Sequence, residues 1–172
     1  MVRINLIDAK NLTDQHLLAE YNEILMLCGY IRKYGNAEDK PKTFTLGKGH
    51  IKFFSDKLLY LLKRFEHIKQ ELICRDYNVT KPFPFIVKDD LRHSGTGSGL
   101  ILEPNLELWN DYEPTLSAYL EILRRLRQKY EMKPDFYTYY GKKCADSIYR
   151  IGYMREQRNR GNILTASLFV SL

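Results

Sequence analysis

Ile51, Phe54, Leu58, Leu61, Leu62, Phe65, Ile68 and Leu72 recur at intervals of three and four residues. That interval is the period of an α-helix, and it lays an apolar stripe along one side. The spacing predicts one long helix from about Ile51 to Arg75. Such a stripe must be covered by other elements. Leu17, Tyr21, Ile24, Leu25, Cys28 and Ile31 carry a second stripe and predict a helix from about Asp14 to Lys33. Thr13 is its expected N-cap, with Leu12 before it as a staple residue, and Tyr34-Gly35-Asn36 ends it. A third helix is expected from about Pro114 to Tyr130, with Leu116, Leu120, Leu123 and Leu126 inward. A further helix is expected from about Cys144 to Arg158, followed by an apolar end from Ile163 to Leu172. Neither an alternating strand pattern nor an internal repeat is apparent. The expected class is all-α: a single compact helical domain over residues 1–145 with three to four main helices. Residues 146–172 are expected to form a C-terminal helical extension, packed on the domain or at an interface.

A chain of 172 residues can bury a normal single core. Lys and Arg number 27 against 21 Asp and Glu, a net charge of +6 with a pI near 9.1. That surplus suits a polyanionic partner without naming one. The 13 tyrosines exceed the 8 phenylalanines and one tryptophan combined, and tyrosine offers both a stacking face and a hydroxyl. Cys28, Cys74 and Cys144 are odd in number and widely spaced, which reads as reduced cysteine. No apolar run approaches a membrane span and no signal-peptide core is present, so a cytoplasmic location is expected. His16, His50, His67 and His93 lack metal-ligand spacing, and neither metal nor cofactor is expected. The run Ser94-Gly95-Thr96-Gly97-Ser98-Gly99 lacks the Lys-Ser/Thr ending of a phosphate loop and reads as a surface loop.

Three features bear chemistry. The chain starts Met1-Val2-Arg3-Ile4-Asn5-Leu6, and Val2 is small enough for Met1 to be trimmed. The exposed α-amine would have a pKa of about 7.7–8.0, so part of it is neutral near pH 7. A neutral amine attacks a sugar or carbonyl carbon to give a Schiff base. His16, Glu20 and Glu23 follow at i, i+4 and i+7 on one polar face of the first helix. On residue type alone the two glutamates read as solvated helix residues. Arg124, Arg125, Arg127 and Lys129 form a basic stripe on the third helix, and Phe136-Tyr137-Thr138-Tyr139-Tyr140 runs into Lys142-Lys143. Aromatics beside cations are the surface expected for DNA.

Three blocks carry a resemblance. They are Arg3-Ile4-Asn5-Leu6 with Leu12-Thr13-Asp14-Gln15-His16-Leu17-Leu18-Ala19-Glu20-Tyr21 and Glu23; Leu46-Gly47-Lys48-Gly49-His50-Ile51-Lys52-Phe53-Phe54-Ser55-Asp56-Lys57-Leu58; and Tyr137-Thr138-Tyr139-Tyr140-Gly141-Lys142. In order and spacing the chain resembles the pyrimidine-dimer DNA glycosylases of the phage endonuclease V type. The resemblance implies cleavage of the glycosyl bond at the 5′ pyrimidine of a cyclobutane dimer, then strand scission by β-elimination. It implies double-stranded damaged DNA as partner, kinked, with the nucleotide opposite the lesion flipped out. Carried over, the catalytic residues are Val2, through its α-amine, and Glu23. The DNA-binding positions are Arg3, His16, Asn22, Met26, Arg125, Lys129, Tyr137 and Tyr139. Departures are clear at Asn22 and Met26, where the phage enzyme has arginines. Leu25 replaces a proline, Phe136 a tryptophan and Thr138 a lysine, while valine replaces threonine at position 2. Lost arginines weaken phosphate pairing and its salt dependence. An abasic-site lyase or glycosylase for a different lesion, or a DNA-binding module without catalysis, remain the alternatives.

Overall fold

The structure is a computed structural model that describes residues 4–47, 49–85 and 106–144. Among the described residues there are four α-helices: α1 (Asp14–Tyr34), α2 (Gly49–Phe53), α3 (Leu58–Cys74) and α4 (Leu116–Met132). A hairpin of two short antiparallel strands, β1 (Thr138–Tyr139) and β2 (Lys142–Lys143), follows a 3₁₀ turn at Pro134–Phe136. The class is all-α. The expected helix after Cys144, the extension 146–172 and the glycine-serine run lie outside the described residues.

α1 begins where the sequence predicts. The Thr13 side chain accepts from the His16 N–H, meeting one of the donors that a helix start leaves open. Gly35 ends it at φ +68°, with its N–H donating to the Ile31 carbonyl at 2.8 Å. Leu17, Tyr21, Ile24, Leu27, Cys28 and Ile31 face the interior and meet Leu58, Leu61, Phe65, Ile68 and Leu72 of α3. The Tyr21 and Phe65 rings stack at 5.1 Å. Burying each such side chain stabilises the fold by roughly 1.5–3 kcal/mol.

The predicted long helix from Ile51 to Arg75 is two helices. The chain leaves helical geometry between Phe53 and Leu58. Ser55 Oγ donates back to the Lys52 carbonyl at 2.7 Å and accepts from the Ala37 N–H at 3.1 Å. The Asp56 carbonyl accepts from the Asn110 N–H, and Lys57 bridges to Trp109. These groups therefore bond to distant loops instead of continuing the helix ladder. α4 differs too. Leu116 and Leu120, expected inward, are 40% and 41% exposed. Leu123 and Leu126 are buried as expected, but Ala118, Tyr119, Ile122 and Tyr130 take the place of the other two, because the helix is turned to put its two large tyrosines inside.

Candidate active site

Glu20 and Glu23 are not solvated. Glu20 is 0% exposed and Glu23 8%. Arg64, which interrupts the apolar face of α3, grips Glu20 with Nε to Oε1 at 2.7 Å and Nη2 to Oε2 at 3.1 Å. Its Nη1 donates to the Ile7 carbonyl at 2.6 Å. A buried carboxylate persists only when its charge is met like this. Glu20 raises the Arg64 pKa further, against the cost of burial.

Asn5 extends the network toward α4. Its Nδ2 donates to Glu20 Oε2 at 2.8 Å, and its Oδ1 accepts from Arg125 Nη1 at 3.3 Å. The segment leading to the N-terminus is thus tied to α1 one turn before Glu23. The preceding residue is also held: the Ile4 N–H donates to Nε2 of the buried His50 at 3.1 Å.

His16, two turns before Glu23, is half-buried and stacks on Tyr137 at 4.8 Å with an 18° interplanar angle. Its Nδ1 lies 2.8 Å from Thr13 Oγ1. Burial, then the charges of Arg125 and Lys129, pull its pKa down to about 4. At neutral pH it is an uncharged imidazole that stacks and hydrogen-bonds; it offers phosphate no cation.

A second buried node holds the hairpin in place. Asp14, the first residue of α1, accepts from Arg75 Nη1 at 2.8 Å, Thr138 Oγ1 at 2.7 Å, the Tyr140 N–H at 3.2 Å and the Gly141 N–H at 2.9 Å. Burial works against its charge, but the hydrogen bonds from Thr138, Arg75 and Gly141 hold its carboxyl below the usual range. Tyr140 and Gly141 take φ +51° and +71° at the two central positions of the turn. For tyrosine that left-handed geometry costs about 1–3 kcal/mol. The Asp14 carboxylate, receiving both N–H groups, compensates for it. Arg75 also binds Glu71 Oε1 at 2.8 Å and lies 4.7 and 4.5 Å from the Tyr139 and Tyr140 ring centres.

The hairpin disposes the aromatic run unevenly. Tyr137 is buried against His16, and the Tyr139 hydroxyl donates to the Lys10 carbonyl at 2.9 Å. The solvent-facing rings are Phe136 and Tyr140. On α4 the continuous basic stripe is broken. Arg124 is paired with Glu121 and Arg127 with Glu131, both at hydrogen-bond distance. Arg125 and Lys129 stand beside His16. Asn22 spends its amide on the Leu18 carbonyl of its own helix at 2.9 Å, and Met26 is exposed. Val2 and Arg3 lie outside the described residues.

The structure therefore brings together Asn5, His16, Glu20, Glu23, Arg125, Lys129 and Tyr137 at the meeting of α1, α4 and the N-terminal segment. Asn5, Asp14, His50, Arg64 and Arg75 carry parts of it that residue type alone did not assign. Arg64 and Glu71 lie on the apolar side of α3 and Arg75 at its C-cap, and charge inside an apolar stripe is the sequence signal of a buried ion pair. Among the described residues no cluster of three or more His, Cys, Asp or Glu could hold a metal ion, and no helix is long and apolar enough to cross a membrane. The elements that build this site are mostly those of the N-terminal half, and residues 1–85 match the family model described as pyrimidine dimer DNA glycosylase. That match supports membership of this family over residues 1–85.

Proposed function

We propose that the chain excises pyrimidine dimers from duplex DNA and then cleaves the strand, using the α-amine of Val2 as nucleophile once Met1 is removed. The observation that carries this reading is the tether of Asn5 to Glu20, one helical turn before Glu23. Two extended residues span at most about 7 Å, which bounds how far the Val2 amine can lie from the anchored Ile4.

The amine nitrogen attacks C1′ of the 5′ nucleotide of the dimer. The glycosyl bond breaks with its electron pair leaving on the base nitrogen, and the sugar ring opens to an iminium. Glu23, held in low-dielectric surroundings, stabilises the positive charge that develops at the sugar. It then takes a proton from C2′; the electron pair of that C–H bond moves toward the iminium, and the C3′–oxygen bond breaks to release the phosphate. Arg125 and Lys129, flanking the site, pair with phosphates and fix the register of the duplex. Water then hydrolyses the imine and frees the amine.

Asn22 and Met26 favour a second reading of the lesion range. Neither offers a cation to the backbone, so discrimination of a dimer from an intact stack rests on fewer phosphate contacts. Abasic duplex would then be cleaved at least as well as dimer-containing duplex. Glu23→Gln tests the chemistry. The substitution keeps shape and removes charge. Its single-turnover rate on dimer DNA is expected to fall at least ~100-fold, with affinity unchanged or slightly raised. Cleavage by this variant at the wild-type rate contradicts the mechanism.

A further inference from the structure

His50 is fully buried, and no step above uses it. Its Nε2 accepts from the Ile4 N–H at 3.1 Å, and its Nδ1 lies 3.2 Å from the Thr45 carbonyl oxygen. A backbone N–H only donates and a carbonyl only accepts. One form of the ring satisfies both: neutral imidazole with its proton on Nδ1. Phe44 and Phe54 meet the ring edge-on at 5.6 and 5.0 Å. Gly49 lets the loop close on it. A Cβ there would meet Thr45 Cγ2 at 2.7 Å and Pro41 Cγ at 3.0 Å, forcing that loop outward. The ring is thus fixed by its own packing, independently of the glutamate network.

Residues 4 and 5 are therefore held from two sides. His50 of α2 holds the Ile4 backbone, and Glu20 of α1 holds the Asn5 side chain. A side-chain tether alone leaves the backbone free to turn; a backbone hydrogen bond fixes the main chain at Ile4. We propose that His50 is a positioning residue for the α-amine of Val2, fixing where that nitrogen stands relative to Glu23. The role rests on the amine mechanism proposed above. Catalysis by a placed nucleophile depends on near-attack geometry, and a displacement of about 1 Å can cost about 10²-fold in rate.

Two variants test it. His50→Phe keeps the ring volume and edge contacts and removes the acceptor. His50→Gln keeps an acceptor as many bonds from Cα as Nε2. In single-turnover borohydride trapping on abasic duplex, His50→Phe is expected to form adduct roughly 10- to 100-fold more slowly. Its affinity for the duplex should stay within about twofold of wild type, because the effect falls on the chemical step. His50→Gln should recover most of the rate. Hydrogen exchange at the Ile4 amide should accelerate with Phe and slow again with Gln. Should His50→Phe not fold, His50→Asn, which keeps only the donor toward Thr45, takes its place with the same expectations. Equal trapping by wild type and the acceptor-less variant overturns the role of His50, and unchanged Ile4 exchange overturns the anchor itself. Absence of any adduct with wild type overturns the amine mechanism instead, and Ile4 exchange still reports on the anchor.

Discussion

Asn5 donates to Glu20 at 2.8 Å inside the protein, and this one side-chain amide joins the N-terminal segment to the carboxylate one helical turn before Glu23. Glu20 can serve as that anchor only because Arg64 neutralises it. The site is thereby built on a buried ion pair whose members are 44 residues apart in sequence.

That pair has a measurable cost when broken. Arg64→Met leaves a buried carboxylate with Asn5 as its remaining hydrogen-bond partner among the described residues. Denaturant unfolding is expected to show a loss of about 3–5 kcal/mol. A double variant that also replaces Glu20 with leucine should recover much of it, since an apolar pair of similar volume removes the uncompensated charge. An unchanged midpoint for Arg64→Met would show that the pair does not hold the fold.

Asp14 makes the hairpin sensitive to acid. Its folded pKa lies below the ordinary value of 3.8, so its stabilising effect is complete above that value and disappears as pH falls through the folded pKa. Asp14→Ala is expected to lose about 3 kcal/mol at pH 7. The gap between variant and wild type should narrow as the pH drops below about 4. Paired melting curves from pH 7 to pH 3 check this; a gap that stays constant or widens in acid has the wrong sign.

Lys129 and Arg124 separate a cation with no ion pair among the described residues from a paired one. Lys129 stands beside His16 and Arg125, whereas Arg124 is bound to Glu121 on its own helix. Lys129→Ala is expected to weaken duplex binding evenly across sequences and to lower the slope of log K against log salt by about one. Arg124→Ala should change the slope less, because its charge is already matched. Equal slopes for wild type and Lys129→Ala would place the duplex on another face.

The main helices were legible because their packing is periodic: α1 and its Thr13 cap stand where three- and four-residue spacing puts them. The break between α2 and α3 was hidden, because Ser55 and Asp56 leave the helix to meet Ala37 and Asn110, partners that no local pattern shows. Leucine spacing placed Leu123 and Leu126 inside correctly but not Leu116 and Leu120, since Tyr119 and Tyr130 outweigh those two in filling the core. Residue type read Glu20 and Glu23 as solvated for the same reason: the charge that lets Glu20 go inside comes from Arg64, on another helix. His50 lacks metal-ligand spacing and so carried no sequence signal, because its partners are main-chain atoms at Ile4 and Thr45. The aromatic run announced a surface, yet Asp14 turns it so that Tyr137 packs on His16 while Phe136 and Tyr140 meet solvent.

The central claim is that the nucleophile is the N-terminal amine, and reductive trapping addresses it most directly. The native protein is mixed with abasic duplex, reduced with borohydride and digested, and the DNA-bearing peptide is located by mass spectrometry. An amine nucleophile needs no divalent ion, so the reaction is run in excess EDTA. The account predicts one adduct, on the α-nitrogen of a peptide that begins at Val2, and none from protein whose N-terminus has been acetylated. An adduct on a lysine side chain, or full strand cleavage by the acetylated protein, contradicts it.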